Sequence, residues 1–456
     1  MLLGKVFQAF VEQRPVCVMA RGILERLFDP ARIDALFCQS AKAGYTKKLH
    51  FSTLVSLMGD VVLGVKPSVH AAFQALEKND ATVSLTAIYN KLDRVESAVS
   101  AALVRDAAGQ TAPAIDSLDA RLQPWLPGYR CRILDGNHLS ATEHRIEELR
   151  TTWAAPLPGK ILVVLDQERM LAEEVFLTED GHAQERSLLD ATLPCVQAKD
   201  LWLADRNFCT LKFLFGIARR LGYFLIRQHG TVQGTLLGRR RKIGHCPTGM
   251  VYEQAIELRD PETGQTATFR RITVQLDQAT RAGDWEIHLL SNVPESDADA
   301  LTLAELYRKR WTIETMFQEI TATLHCEIHT LGYPKAALFA FCLALVAFNA
   351  VSLLKAALRA VHGAATVNET VSGYYLNLEI RGTYEGMMIA IPEKHWKIFR
   401  TLSFQELGTV LKELAGHLTL SRYRKHPRGP KKPPPKKAAY ANGGHVSTFR
   451  LLNRNE

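Results

Sequence analysis

No Cys-x-x-Cys pair occurs anywhere in the chain. Its eight cysteines, at positions 17, 38, 131, 195, 209, 246, 326 and 342, stand apart, so the paired ligand spacing of a zinc module is missing. Most lie in apolar runs, as small buried thiols in a reducing compartment do. A clean signal-peptide core is missing as well, because Lys5, Glu12 and Arg14 interrupt the first apolar residues. An unbroken apolar run of membrane-spanning length is also lacking. The nearest approach, residues 336–358, carries Asn349, Ser352 and Lys355 and reads as an amphipathic core helix. No heptad repeat is visible. Nor is there an excess of acid: 56 Lys and Arg face 47 Asp and Glu, a net charge of +9, a balance that favours a polyanionic partner. What remains is a cytoplasmic globular protein. Its 456 residues, 47% hydrophobic and 23% charged, suffice for two or three domains.

Among what is present, residues 307–325, YRKRWTIETMFQEITATLH, organise the rest. At about 100° per residue, Leu306, Ile313, Phe317, Ile320 and Leu324 fall in one sector, a core-facing stripe. Tyr307, Arg310 and Glu314 share the next sector, where a buried helix would meet a cleft. Periodicity alone also allows an ordinary amphipathic helix with a flanking i,i+4 Arg–Glu pair.

Two further acids bear on that choice. Asp135 ends the run YRCRILD, and Asp205 ends KDLWLAD. Each is an apolar, strand-like run closed by Asp. One such Asp is an ordinary turn residue. Two of them with a half-buried helical Glu are the oxygen ligands of a divalent-cation site.

LDGNHL, ADRNFC and Tyr-x2-Arg-x3-Glu, in that order, resemble the DDE transposases of bacterial insertion sequences. The nearest subgroup, the insertion-sequence-four type, carries Tyr-x2-Arg-x3-Glu-x6-Lys. Tyr307, Arg310 and Glu314 match it; the Lys position is Thr321 here. The resemblance runs from about residue 21 to the C-terminus through LPGK, EDGHAQER, SGYYL, RGTYEGMMIAIP and HPRGPKKPPPK. It implies catalytic, metal-binding Asp135, Asp205 and Glu314, holding two Mg²⁺ ions with Mn²⁺ as a substitute. It further implies phosphate contacts from Tyr307 and Arg310. For the missing Lys two readings stay open: His325, one turn further along the same face, as a substitute, or a loss of activity. The implied partners are transposon-end DNA with terminal inverted repeats, target DNA, and a second copy of the chain in a DNA-bound homodimer.

Residues 1–128 read as helical and, on the resemblance, as a DNA-end-binding domain. A helix from 68 to 78, a turn at Asn79–Asp80 and a helix from Ser84 would present Tyr89, Asn90, Lys91 and Arg94 to a major groove, or form a plain helical hairpin. Residues 129–358 read as an α/β catalytic domain. Its strands at 130–134, 160–165, 171–177, 200–204 and 223–227 are expected in a ribonuclease-H-like fold with the first and fourth side by side and parallel. Helices are expected around 183–191 and over 211–221. Short alternating segments over about 228–300 read as an inserted β-rich subdomain. Within it Arg239, Arg240, Arg241 and Lys242 form a basic turn, either solvated or on phosphate, and Trp285 is expected in the core rather than stacked on a base. The region 359–456 opens with a polar linker and strands or a loop at 374–392. Its basic, Pro-rich stretch 422–437 reads as an extended strap or a disordered tail, either suited to a phosphate backbone. Glu185, His144 and Arg145 are candidates for supporting partners of the site rather than for direct catalytic residues. Two other readings stay open on the sequence: a nuclease of the same fold that never joins strands, and a DNA-binding protein without catalysis.

Overall fold

The structure, a computed structural model, describes residues 3–42, 49–77, 83–139, 155–280, 283–324, 328, 331–426 and 445–453. The strands are β1 (Arg130–His138), β2 (Ala155–Leu157), β3 (Lys160–Asp166), β4 (Leu171–Thr178), β5 (Asp200–Ala204), β6 (Tyr223–Arg227), β7 (Thr235–Cys246), β8 (Gly249–Arg259), β9 (Thr266–Leu276), β10 (Glu286–Ser291) and β11 (His445–Ser447). Nine of them form one sheet in the order β4-β3-β1-β5-β6-β10-β9-β8-β7, while β2 pairs with β11. The expected side-by-side, parallel pair is β1 and β5, with Leu134 opposite Ala204. Asp205 follows β5 directly, as its position after LWLA suggests. Asp135 does not close its strand: β1 runs on to His138, and Asp135 lies opposite Val163 of β3. The hairpin partner continues the ladder past the acid, which a single-strand reading has no means of seeing.

The β-rich insertion extends the same sheet. Strand β10 returns antiparallel to β6, Leu290 opposite Ile226, and β9, β8 and β7 add outward from it. The helix expected around 183–191 is two short pieces, a 3₁₀ turn Glu185–Leu188 and the single turn Leu189–Thr192.

The long apolar helix is Pro334–His362. It is long and apolar enough to cross a membrane, and its most apolar window is entirely buried within the fold. Asn349 explains the polar interruption. Its amide accepts from the Ala172 N–H and donates to the Ala172 carbonyl, both at 2.9 Å, tying the edge strand β4 to the helix. One apolar cluster runs from Leu3 to Tyr423. It takes in the N-terminal helices, this helix, the C-terminal helices and one face of β1, β3 and β4. The boundaries expected near 128 and 358 therefore do not separate cores. Helix Pro15–Leu27 meets the C-terminal region so closely that a Cβ on Gly22 would overlap the Phe399 ring. Residues expected as strands or loop after 372 form the helix Gly373–Ala390, burying Leu376, Ile380 and Met387. That spacing, not the local β-branching, is what packs.

The organising stretch is helical but broken. Helix Ala300–Arg308 passes through a 3₁₀ turn, Lys309–Trp311, into helix Thr312–Thr323. The tightened turn divides the stripe between two cores: Leu306 packs under β5 and β6, whereas Ile313, Met316, Ile320 and Leu324 join the main cluster.

Candidate active site

The broken helix brings its polar edge to Asp135, within β1, and to Ala204 at the end of β5. The Arg310 guanidinium, on a side chain only 7% exposed, donates from Nη1 to Asp135 Oδ2 at 2.8 Å and from Nη2 to Glu314 Oε1 at 2.9 Å. Asp205 and the Tyr307 hydroxyl belong to the same electrostatic neighbourhood. Burial alone would lower the Arg310 pKa, yet Tyr307, Asp135, Asp205 and Glu314 together hold it above its ordinary value. Tyr307 donates to the carbonyl of Ala204, the residue before Asp205, at 3.3 Å. Burial pushes its own pKa upward, so the phenol is neutral. The i,i+4 pair read from the sequence is thus half of a bridge whose other half, Asp135, comes from the sheet.

Asp135 carries the chemical signature of the cluster. Burial pushes its carboxyl up to about 6; Arg310 and the Gly136 amide pull it down, while Glu314 and Asp205 push it further up. The Gly136 N–H donates to Asp135 Oδ1 at 2.9 Å, and Asp205 caps the short 3₁₀ turn Arg206–Phe208 through the Arg206 amide. An oxygen-donor acid whose charge is disfavoured by two neighbouring acids is the donor chemistry of a hard divalent cation. In kind, then, Asp135, Asp205 and Glu314 fit such an ion. Among the described residues no three His, Cys, Asp or Glu stand close enough to chelate one as they are. Between Asp135 and Glu314 the positive charge is that of Arg310.

On the other face of the sheet end lies a polar cleft of about 500 Å³ lined by Lys160, Gln184, Glu185, Arg186 and Asn207. Sequence reasoning assigned Glu185 a supporting role without a partner. Its partners are Asn207, two residues after Asp205, and Gly136, next to Asp135. The sequence also gave no signal for Trp311, which is 60% exposed with the Arg310 guanidinium 5.4 Å from its ring.

The remaining expected site residues are scattered. Thr321 is exposed on the last turn of its helix, with its hydroxyl donating to the Phe317 carbonyl at 2.9 Å. His325, His144, Arg145 and residues 427–437 of the basic strap lie outside the described residues. The helical pair is Val69–Glu77 and Leu85–Leu92. On the second helix Asn90 and, just after it, Arg94 are exposed and Tyr89 is half-buried. Lys91 turns inward, onto the Leu49 carbonyl and over the Phe37 ring, and its desolvation lowers its pKa. Arg239, Arg240, Arg241 and Lys242 sit within the edge strand β7, not in a turn, and all are exposed. Arg240 pairs with Glu286 and lies 4.0 Å from the centre of the Tyr252 ring. Arg241 bridges Glu253 and Glu295. Trp285 is 62% exposed, contrary to the expected core position.

Residues 126–350 match the family model of the transposase DDE domain. The matched span contains Asp135, Asp205, Tyr307, Arg310 and Glu314. It supports a DDE transposase, an enzyme class that breaks and rejoins DNA phosphodiesters and generally uses divalent metal ions. Comparison with curated proteins finds no match. Among solved structures, the chain is similar to a piggyBac transposase in a synaptic complex with hairpin DNA. The identity is 9%, the TM-score 0.38, and the coverage 88% of this chain and 86% of that one, a likeness too loose to carry an argument.

Proposed function

We propose that this chain is a bacterial insertion-sequence transposase of the Tyr-x2-Arg-x3-Glu subgroup, acting on DNA in the cytoplasm. In this reading residues 129–358 are a ribonuclease-H-like catalytic core enlarged by the β7–β10 extension, and residues 1–128 contribute DNA-end binding. One observation carries the proposal: Asp135 of β1 and Glu314 of a distant helix both pair with one buried guanidinium, whose charge is also favoured by Asp205, just past the parallel neighbour β5.

Asp135, Asp205 and Glu314 would hold the cations, two Mg²⁺ with Mn²⁺ as a substitute. Bound there, such a pair activates a nucleophilic oxygen and stabilises the leaving one. The chain's own residues do the rest. Arg310 holds the acids together before loading. Once released from them, its planar fork suits two oxygens of a phosphate beside the cut. Tyr307, anchored on the Ala204 carbonyl, fixes the start of that helix against the Asp205 turn. Strand ends and helix together would hold the terminal phosphodiester for cleavage, then present the freed 3′-hydroxyl to target DNA.

The test uses the full chain with duplex DNA bearing the inverted repeats that flank its gene. The expected result is Mg²⁺-dependent cutting at the repeat end, followed by strand-transfer products. Asp135→Asn, Asp205→Asn and Glu314→Gln should still bind the ends and no longer cut. Undiminished cutting by Asp135→Asn refutes the assignment. Cutting with no joined product reduces the activity to that of a nuclease.

A further inference from the structure

Beneath the two strand ends, a contact from a separate segment joins them. Asn207 Nδ2 donates to Glu185 Oε2 at 2.6 Å, and the neighbouring Arg186 Nε donates to the Asn207 carbonyl at 2.7 Å. Consecutive residues of one 3₁₀ turn therefore grip both the side chain and the backbone of the residue two beyond Asp205. The same Glu185 carboxylate lies against Gly136. A Cβ built there would come within 2.5 Å of Oε1 and 2.6 Å of Cδ. Successive side chains on a strand point to opposite faces, so Glu185 sits on the face away from the Asp135 side chain, under its backbone. Glycine is required at 136 because the carboxylate fills the space a side chain would take.

We infer that Glu185 is a positioning residue that sets the distance between Asp135 and Asp205. This rests on reading those two acids as the catalytic pair. Its carboxylate touches the backbone beside one acid and the side chain beside the other, so a shift of Glu185 moves the two strand ends relative to each other. Lying on the opposite face from Arg310 and Glu314, it works through hydrogen bonding and contact, without itself ligating a cation. Partners of this kind, once removed, lower metal affinity or activity by about 10- to 100-fold.

The experiment compares Glu185→Ala, Glu185→Gln, Gly136→Ala and the double variant Gly136→Ala/Glu185→Ala in end cleavage with Mg²⁺. Backbone hydrogen exchange is measured at residues 136 and 205–208. The expected result for Glu185→Ala is a drop in kcat of about 10- to 100-fold with KM for the DNA end unchanged. Exchange should quicken at both strand ends. Glu185→Gln still accepts from Asn207 and should retain most of the rate and the protection. Gly136→Ala should act like Glu185→Ala, and the double variant should be no worse than either single one. Four results would each overturn the inference: unchanged exchange in Glu185→Ala, a rate within twofold of the parent, a fall in Glu185→Gln as deep as in Glu185→Ala, or effects that multiply in the double variant. If the parent protein itself fails to cut, the proposed function fails, while the exchange comparison still decides whether Glu185 ties the two ends.

Discussion

Removing the Arg310 guanidinium should convert a balanced carboxylate cluster into a repulsive one, at a cost that depends on pH and on divalent cation. In Arg310→Ala the Asp135 side chain, 15% exposed, loses a 2.8 Å partner. Glu314 loses a 2.9 Å partner but is 32% exposed, so water replaces much of that interaction, leaving at most about 1 kcal/mol. Stripping one member from a buried pair costs about 3–5 kcal/mol. Asp135 can escape the upper end of that range by taking up a proton, so the expected loss is about 3 kcal/mol at pH 8.

The pH dependence has a definite sign. Burial pushes Asp135 up to about 6, above the usual carboxylate value of 3.8, and Arg310 is the largest opposing influence. The folded protein therefore keeps a proton that the unfolded chain has released, and this site loses stability as pH rises from about 4 through 6. Without Arg310 the folded value climbs further and the window stretches upward. The variant's deficit should be small at pH 5, where Asp135 is protonated in both proteins, and full at pH 8. Denaturant titrations in EDTA at the two pH values measure this. Adding Mg²⁺ at pH 8 should then stabilise Arg310→Ala more than the parent, because no guanidinium has to be displaced first. A deficit that is equal at both pH values and unresponsive to Mg²⁺ would refute the picture of Arg310 as the counter-charge of a cation site.

Asn349→Leu should lose about 2–4 kcal/mol in denaturant unfolding, since it strips both 2.9 Å bonds from buried Ala172 of β4. Gly22→Ala drives a methyl into the Phe399 ring and should cost about 1–3 kcal/mol, part of which Phe399→Leu in the same chain should recover. His288 is held neutral by burial and then by Arg271, pushed down to about 4. The stability it contributes above pH 6.5 should be lost as pH falls from 6.5 to about 4, and His288→Gln should flatten the stability profile in that window. Thr321→Lys adds a charge at an exposed position; end-DNA affinity should rise and the salt slope steepen by about one unit, with stability unchanged in melting experiments.

Much of the fold was legible because its elements bury one face in a regular period. The hairpin β3–β4, strands β5 and β6, and the long helix all announce themselves through apolar runs bounded by turn residues. Where the reading failed, the deciding contacts lay far away in sequence. Nothing in TVQGTLLGRRRKIG tells that β7 sits at the edge of the nine-stranded sheet, because that depends on β10 returning to β6 some sixty residues later. The basic quartet looked like a turn because Gly238 precedes it. In the fold Gly238 takes φ +65°, and the ladder shifts register between Leu237 and Arg241, so the glycine marks a bulge inside the strand. Trp285 looked like core by residue type alone.

The candidate site shows the same division more sharply. Helical spacing suffices to set Arg310 beside Glu314, and an Asp after an apolar run suffices to suggest a strand end. Neither says which way the guanidinium turns. Read alone, Arg310 is a phosphate ligand. In the fold it spans two acids and is influenced by a third, so the protein carries its own positive charge among the acids proposed to hold cations. That charge offsets Asp135 and Glu314 in the folded chain, and on the proposed reading it would have to be given up for metal to enter. On the proposed reading, the same guanidinium that pairs with the acids would become available to a phosphate once they have other partners. Such an exchange is invisible in a motif, which records the residues and not the order in which they trade contacts.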